Sequence, residues 1–157
     1  MANEKTAYDI TTPMIQQTGE AIRTGDFDLY MRHFAIPFVM ETHEETFVFR
    51  SRYEMQQHFE GVCRYRAENN IVASRRENVS AEFSDSDTIS LVHISHLLRE
   101  DRSVFDRPYP TYSIIRNVGG RWLTHYCLYG VDKQDSFERA LLNFQKREVP
   151  FDQAMLR

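Results

Sequence analysis

The stretch NVGGRWLTHYCLYG, residues 117–130, contains a two-glycine turn, the single tryptophan of the chain and a strand that is largely apolar or aromatic on both alternating faces. A strand at a protein surface normally shows one polar face to water, because successive side chains point to opposite sides of the sheet. Both faces of this strand need cover, and what covers them decides the fold.

A two-residue turn at Gly119 and Gly120 would fix the register of the hairpin that it closes, because the opposite pairs follow by counting outward from the turn. Cross-strand partners share a face of the sheet. The predicted first face pairs Asn117 with Trp122, Ile115 with Thr124, Ser113 with Tyr126, and Thr111 with Leu128. The predicted second face pairs Arg116 with Leu123, Ile114 with His125, Tyr112 with Cys127, and Pro110 with Tyr129.

Hydrophobic periodicity and turn residues predict the elements around this hairpin. A first helix begins at Thr11 or Thr12, with Pro13 in its first turn, and ends at Gly25. A short second helix is capped by Asp26 and ended by Pro37, and two β runs at 38–42 and 46–50 then form a small hairpin or a pair of edge strands. A third helix follows Ser51, with Glu54 in a capping box. The chain continues with an antiparallel meander and a closing helix at 135–147, and the four strands of the meander are predicted at 71–83, 87–100, 109–118 and 121–131.

The three N-terminal helices can cover the first face of the final hairpin, but only the single predicted C-terminal helix remains to cover the second face. Contiguous apolar patches of this kind usually mark an interface. We therefore expect a homodimer in which a second copy covers the rest of that face across a twofold axis.

Composition excludes several classes of protein. The 157 residues are 41% hydrophobic, enough for one substantial core, and 19 Lys and Arg against 23 Asp and Glu give a formal net charge of -4. No net attraction toward nucleic acid or anionic lipid is expected from that balance. The N-terminus MANEKTAYDITTP lacks a signal-peptide pattern and no segment is apolar enough to span a membrane, so we expect a cytoplasmic protein with Cys63 and Cys127 reduced.

The order of these elements, with GDFDLYMRHFAIPFVMET (25–42) and SIIRNVGGRW (113–122), resembles the nuclear transport factor 2-like superfamily and, within it, the SnoaL-like small proteins. The resemblance implies an α+β cone, a curved antiparallel sheet with the N-terminal helices packed on its concave face around one apolar pocket. It also implies a single SnoaL-like domain over residues 1–157, with a core at about 10–131 and a C-terminal helix at about 135–147.

The catalytic residues of known relatives do not carry over to this chain. In the ketosteroid isomerase pattern, the base falls on Thr42, the acidic oxyanion donor on Ser113 and the tyrosine on Thr18, and none of the three matches. Threonine is no base for a carbon acid at neutral pH. The acid that SnoaL cyclases place on the last strands is missing, since residues 121–131 contain no Asp or Glu. Scytalone dehydratase uses tyrosines, an aspartate and histidines, and the matching types here are Tyr30, His33, His93, His96, Tyr112, His125 and Tyr126.

His93 and Tyr30 are the candidate catalytic residues, an acid or base and a hydroxyl that face the pocket. His93 and His96 lie three apart on one strand, so they point to opposite faces and cannot bind one metal ion together. A bulge would exchange His93 for His96, and a bulge near Trp122 would turn His125 inward and Tyr126 outward. The candidate ligand-binding residues are Phe34, Phe38, Met40, Thr42, Met55, Phe59, Ser113, Ile115, Trp122, Thr124 and Tyr126.

Other polar residues are interpreted as surface groups. His43 and His58 are expected to be exposed. The positive charges of Arg75 and Arg76 are offset by the neighbouring Glu77, which is typical of a solvated strand edge. The sequence contains no motif for a metal or a cofactor, and none is expected.

Three functions fit these features. The first is a binding protein for a small apolar or aromatic molecule that acts as a cofactor-free lyase or isomerase, through His and Tyr acid-base chemistry on an aromatic or polyketide-like compound. The second is a non-catalytic interaction domain like the β subunit of ring-hydroxylating dioxygenases, and the third is a binding-only carrier. An open cavity with a histidine in its wall favours the enzyme; a cavity filled by Trp122, Phe34 and Met55 favours the interaction domain; and an open cavity without titratable groups favours the carrier.

Overall fold

The computed structural model of this protein describes residues 5–130, and the predicted helix at 135–147 lies outside that range. Residues 5–130 form three helices and six strands. In chain order they are α1 (Ala7–Thr24), α2 (Phe27–Met31), β1 (Phe34–Glu41), β2 (Thr46–Phe49), α3 (Arg52–Glu68), β3 (Ala73–Asp85), β4 (Thr88–Leu98), β5 (Tyr109–Val118) and β6 (Arg121–Tyr129).

The six strands form one open mixed sheet in the order β2-β1-β6-β5-β4-β3. Strands β3 to β6 are the predicted antiparallel meander, and β1 pairs with β2 as an antiparallel hairpin. Strand β1 also pairs in parallel with β6, which joins the hairpin to the meander. The N-terminal helices pack on this sheet, so the predicted α+β fold class is confirmed. The parallel pairing of β1 with β6 was not predicted from the sequence.

Helix α1 begins earlier than predicted. Thr6 caps it, its hydroxyl accepting from the Asp9 backbone N–H at 3.0 Å while the Asp9 carboxylate accepts from the Thr6 N–H at 3.1 Å. This reciprocal pair satisfies two backbone donors and starts the helix at Ala7. Pro13 consequently lies inside the helix, and the predicted start at Thr11 or Thr12 was wrong because a stronger capping box lies upstream.

Pro37 does not act as the predicted helix stop. Helix α2 ends at Met31, and Pro37 lies within β1, where the Ile36–Pro37 peptide bond is cis. The segment 34–41 is therefore a strand, with Phe34 at its start rather than at the end of a helix.

The two-glycine turn is formed as predicted, with φ of +61° at Gly119 and +87° at Gly120. Positive φ at both central residues is the conformation that suits a tight hairpin, and glycine adopts it without steric cost.

The register of the final hairpin is the predicted one only near this turn. Asn117 faces Trp122 and Ile115 faces Thr124, but the register then shifts, and Ile114 faces Tyr126. His125 is the extra residue of a β-bulge, so all the predicted pairs beyond Ile115 were wrong. The observed partners are Ser113 with Cys127, Tyr112 with Leu128, and Thr111 with Tyr129.

The main hydrophobic core lies between α2, α3 and the strands β1 and β2. Its fully buried large side chains include Phe38, Met40, Phe47, Phe49 and Met55, each at most 1% exposed. Tyr30, Phe34 and Phe38 continue it as a chain of ring contacts, with centroids 4.6 and 4.9 Å apart. Side chains of this size each remove enough apolar surface from water to contribute roughly 2 kcal/mol.

A second, smaller core holds α1 against the meander. Met14 and Ile15 of α1 pack there with Ile89, Leu91 and Ile115 from the concave face of the sheet. The space between the two cores is where the helices and the sheet leave room for a cavity.

Helix α1 is also hydrogen-bonded to β3. The Asn78 amide nitrogen donates to the hydroxyls of Thr11 and Thr12, each at 2.9 Å, and Arg76 donates to Thr18. Polar links of this kind fix the position of the helix along the strand, because a buried donor left without its acceptor is costly. Among the helices formed by residues 5–130, none has the length and apolar character needed to cross a membrane.

Candidate functional site

An interior cavity lies between α1, α2, α3 and the concave face of β4, β5 and β6. The space open to the centres of water-sized molecules is about 50 Å³. A cavity needs about 10–15 Å³ of such space for each water molecule, so this one holds a few waters or a molecule of a few heavy atoms. The side chains that line it are Met14, Ile15, Thr18, Ile22, Tyr30, Phe34, His58, Val62, Arg66, Arg76, Leu91, His93, Ser95, Tyr109, Ser113, Ile115, Thr124, Cys127 and Tyr129.

Cross-strand register explains why the polar side chains of the sheet meet in this wall. His93 pairs with Thr111, which in turn pairs with Tyr129, so the three side chains form one row on the concave face. In the neighbouring row, Arg76 pairs with Ser95, and Ser95 pairs with Tyr109. Directly opposite residues have close Cβ atoms, so each row brings its groups together.

Six of the candidate site residues are brought together by this cavity. They are Tyr30, Phe34, His93, Ser113, Ile115 and Thr124. His96, the alternative to His93, lies on the opposite face of β4, where its Nε2 is 3.7 Å from the Glu77 carboxylate.

The other seven candidates do not line the cavity. Phe38, Met40, Met55 and Phe59 belong to the main hydrophobic core. The hydroxyl of Thr42 holds the β1–β2 turn by accepting from the Glu44 and Glu45 backbone N–H groups. Periodicity identified these residues as buried, but burial alone does not separate core from cavity wall.

Trp122 and Tyr126 are also separated from the cavity. Trp122 packs edge-on against Phe83, with ring centroids 6.0 Å apart, and lines a surface groove near the β5–β6 turn. The bulge at His125 turns Tyr126 to the outer face, where its hydroxyl donates to Glu41. The assignment of Tyr126 to the concave face was therefore wrong, and Cys127 and Tyr129 take the inner positions.

Two residues interpreted as surface groups lie in the cavity wall. His58 is 3% exposed, so its predicted exposure was wrong. Arg76 is half-buried and points inward, whereas the sequence predicted a solvated strand edge. A signal for His58 was present, because Met55, His58, Val62 and Arg66 follow one face of α3 at helical spacing.

Arg66 and Arg76 give the cavity a positive charge. Arg66 is 5% exposed, and its Nε and Nη1 atoms are buried without a hydrogen-bond partner among residues 5–130. Arg76 donates from Nη1 to the Thr18 hydroxyl at 2.7 Å and to the Ile15 carbonyl at 3.1 Å, while its Nε has no partner there. No Asp or Glu is among the described residues that line the cavity, so these charges are not balanced within its wall.

The histidines of the wall are neutral at pH 7. Burial, and after it the positive charge of Arg76, lowers the pKa of His93 to about 3. Burial lowers the pKa of His58 to about 4. His93 Nδ1 is buried without a hydrogen-bond partner in the described part of the chain, so it is available to a bound molecule.

Tyr30, Tyr129 and Cys127 in the wall keep their protons at pH 7. Burial raises the pKa of Tyr30 and of Tyr129 well above the usual tyrosine value. Burial also raises the pKa of Cys127 to about 11, so its thiol is not a nucleophile at neutral pH. The cavity can therefore offer hydroxyl donors, neutral imidazoles and two guanidinium groups. Within residues 5–130, no group of three or more His, Cys, Asp or Glu side chains could hold a metal ion.

Comparisons with known proteins identify the fold. No protein-family model and no curated protein matches the sequence. The structure is similar to that of a protein of unknown function with a cystatin-like fold from Nostoc punctiforme, with a TM-score of 0.65 and 11% identity over 98% of this chain and 94% of that one.

Two further structures are similar over most of their length. An NTF2-like protein with a cystatin-like fold from Novosphingobium aromaticivorans has a TM-score of 0.62 and 14% identity, covering 87% of this chain and 88% of its own. A ketosteroid isomerase-like protein from Erwinia carotovora has a TM-score of 0.60 and 12% identity, covering 82% and 97%. At these identities the likeness is one of fold, and this chain has the cystatin-like fold of NTF2-like proteins, as its resemblance predicted.

The depressed pKa of His93 predicts a pH-dependent stability. The unfolded chain, with a pKa of 6.5, binds a proton as pH falls below that value, whereas folded His93 stays neutral down to about pH 3. The free energy of unfolding should therefore fall with pH over that window, by about 2 kcal/mol between pH 8 and pH 5 for one such histidine. We expect the free energy of unfolding of His93→Gln, measured by urea denaturation, to fall between pH 8 and pH 5 by about 2 kcal/mol less than that of the wild type.

The exposed His43 provides the matched control, because His43→Gln should keep the wild-type pH dependence. Equal loss of stability in the wild type and in His93→Gln would contradict the burial of a neutral His93.

Proposed function

We propose that this protein binds a small organic molecule in its interior cavity, without a metal or a cofactor. The observation that carries the proposal is the composition of the wall, in which buried polar atoms that have no hydrogen-bond partner among residues 5–130 lie beside apolar side chains. Buried polar groups are normally hydrogen-bonded, so atoms left open toward an enclosed space favour a ligand or ordered water. A wall of this kind, apolar with a few convergent polar groups, is typical of ligand sites.

The size of the cavity limits the ligand to a molecule of a few heavy atoms. Ligand pockets for drug-sized molecules occupy roughly 300–1,000 Å³, whereas the water-accessible space here is about 50 Å³. A polyketide-like compound would need a wider cavity, so we propose a smaller ligand. Its hydrocarbon part would lie against Ile15, Val62 and Ile115, and its polar atoms would face His93 and the arginines.

Two observations favour this proposal over an interaction domain. Such a domain was expected to fill its cavity with Trp122, Phe34 and Met55. Trp122 and Met55 lie elsewhere, in the surface groove and the main core respectively. The unfilled space is better explained by a ligand than by a purely structural role.

A larger side chain in the wall of the cavity should occupy the space of a ligand and weaken its binding. Val62 lies on α3 and is 6% exposed, so Val62→Phe would place a ring in the space of a bound molecule. We expect the wild type to bind fragments of three to six heavy atoms, detected by chemical-shift changes of residues in the wall, and Val62→Phe to bind them at least tenfold more weakly. The matched control is Val118→Phe, at a position 52% exposed. Fragments that bind Val62→Phe and the wild type equally well would contradict the site.

A second candidate function is turnover of the ligand as a cofactor-free lyase or isomerase, and it is favoured over a binding-only carrier because His93 and Tyr30 share the wall. Neutral His93 can accept a proton, and protonated Tyr30 can donate a hydrogen bond to an oxygen that becomes negative. The low pKa makes His93 a weak base unless a bound anion offsets the charge of Arg76.

Removal of a proton next to a carbonyl is the step that this pair could catalyse. We expect the wild type to exchange the α-protons of bound pyruvate, whose carboxylate can offset the charge of Arg76, with D₂O above the buffer rate, as followed by proton NMR. His93→Gln should lose the enhancement while fragments still bind, because the amide is not a base. Absence of exchange in every carbonyl fragment that binds would overturn the catalytic candidate.

We also propose that the protein is a cytoplasmic homodimer. The free thiols of Cys63 and Cys127 support a reducing compartment. The outer face of the sheet supports a dimer, since Val92, Tyr112 and Leu128 form one cross-strand row, and Ile114 with Tyr126 forms part of the next. The bulge at His125 adds Tyr126 to this face and removes Tyr129 from it.

A charge at the centre of this face should prevent association. We expect sedimentation velocity to show a dimer for the wild type and a folded monomer for Ile114→Glu, because the carboxylate would lose its water in the contact. Val72→Glu, at a position 49% exposed outside this face, should remain dimeric. A wild-type monomer at 100 µM would contradict the dimer.

A further inference from the structure

We infer that the ligand of the cavity is a short-chain carboxylate whose anionic group binds the free donors of Arg66. This inference rests on the proposed binding function and names its chemical class. It follows from the charge of the wall, from the atoms that have no partner and from the size of the space.

Arg66 is a buried cation with donors that no group of residues 5–130 accepts from. It lies near the end of α3, on the inward face that also carries Val62, and 5% of its surface is exposed. Its Nε and Nη1 atoms have no hydrogen-bond partner in the described part of the chain. A guanidinium offers five N–H donors, and a charged group buried without a counter-charge is strongly unfavourable.

Arg66 cannot remove this cost by losing its proton. Burial lowers its pKa, but an arginine side chain remains charged in proteins at neutral pH. No ion pair of Arg66 is formed within residues 5–130, and the described wall of the cavity contains no carboxylate. The charge that balances Arg66 therefore comes from outside residues 5–130, and we assign it to a bound anion.

Arg76 adds to the positive potential at the same place. It is held by the Thr18 hydroxyl and the Ile15 carbonyl, so its position is fixed by α1, and its own Nε has no partner among the described residues. Ser95, its cross-strand partner, has a buried hydroxyl that is also unpartnered there. Together Arg66, Arg76 and Ser95 offer several donors and no acidic side chain to one space.

The space and its apolar wall select a carboxylate rather than a larger anion. About 50 Å³ of water-accessible space fits a planar carboxylate with a tail of two or three carbon atoms. Planar carboxylates match the geometry of a guanidinium fork and form charge-assisted hydrogen bonds. Met14, Ile22 and Val62 line the same cavity, which suits a hydrocarbon tail and disfavours an inorganic anion with polar atoms on all sides.

A comparison of acids with their amides tests the inference on the intact protein. Propionate and butyrate differ from propionamide and butyramide chiefly in charge, so each pair separates the contribution of charge from that of shape. By titration calorimetry we expect the wild type to bind each acid at least tenfold more tightly than its amide. Equal affinities would overturn the carboxylate while leaving the binding function intact, and no binding of any of the four would count against both. Tighter binding of inorganic phosphate or sulfate than of butyrate would overturn the choice of a carboxylate.

Arg66→Met tests the residue, with Arg64→Met as the matched control because Arg64 is exposed on the same helix. We expect Arg66→Met to weaken butyrate at least tenfold, to change butyramide less than twofold and to keep or raise the melting temperature, since an unpaired buried charge is removed. Arg64→Met should bind both compounds like the wild type. A lower melting temperature with unchanged butyrate binding would assign Arg66 a structural role instead and overturn the inference. If Arg66→Met fails to fold, the Nε–H resonance of Arg66 in the ¹⁵N-labelled wild type decides, because butyrate must shift it and butyramide must not.

Discussion

Strand β6 is the element on which the rest of the structure depends. It pairs in parallel with β1 on one side and in antiparallel with β5 on the other, so both of its edges are hydrogen-bonded. The bulge at His125 then decides which of its side chains face the helices. Because a shift of one residue exchanges the two faces of a strand, Cys127 and Tyr129 line the cavity and Tyr126 lies outside.

The sequence predicted the hairpin correctly up to Thr124 and failed beyond it for a physical reason. Near the turn, Gly119 and Gly120 fix the geometry, and counting outward gives the observed partners. Beyond His125, the residues on both faces are apolar or aromatic, so the alternation carries no penalty for a slip of one position. Apolar and aromatic residues on both faces therefore predicted that both faces are covered, but they did not show which residue lies on which face. The parallel pairing of β1 was missed because a short apolar strand does not reveal its partner.

The sequence predicted part of the candidate site, and the polar residues of the cavity wall were harder to predict than the apolar ones. Helical and strand spacing identified Tyr30, Phe34 and Ile115 as inward-facing, yet the same spacing also selected Phe38 and Met40, which fill the core. Local sequence cannot distinguish a wall from a core, since the difference depends on whether an opposing element fills the space. Arg76 was missed because the neighbouring Glu77 suggested neutralisation at a surface, whereas the pleat of β3 turns Glu77 to the opposite face.

The protonation states of the wall bear on what the cavity can do with a bound anion. Arg66 and Arg76 are cations, whereas His58 and His93 are neutral at pH 7. Burial lowers the pKa of both histidines, and the positive charge of Arg76 lowers that of His93 further. An anion beside the arginines would reverse one of these effects, since an opposite charge stabilises the protonated imidazole. Binding of the ligand would thus raise the pKa of His93 toward its ordinary value. The arginines that bind the anion and the histidine that could act on it are therefore coupled through the positive charge of Arg76. A neutral molecule of the same shape would leave His93 a weak base.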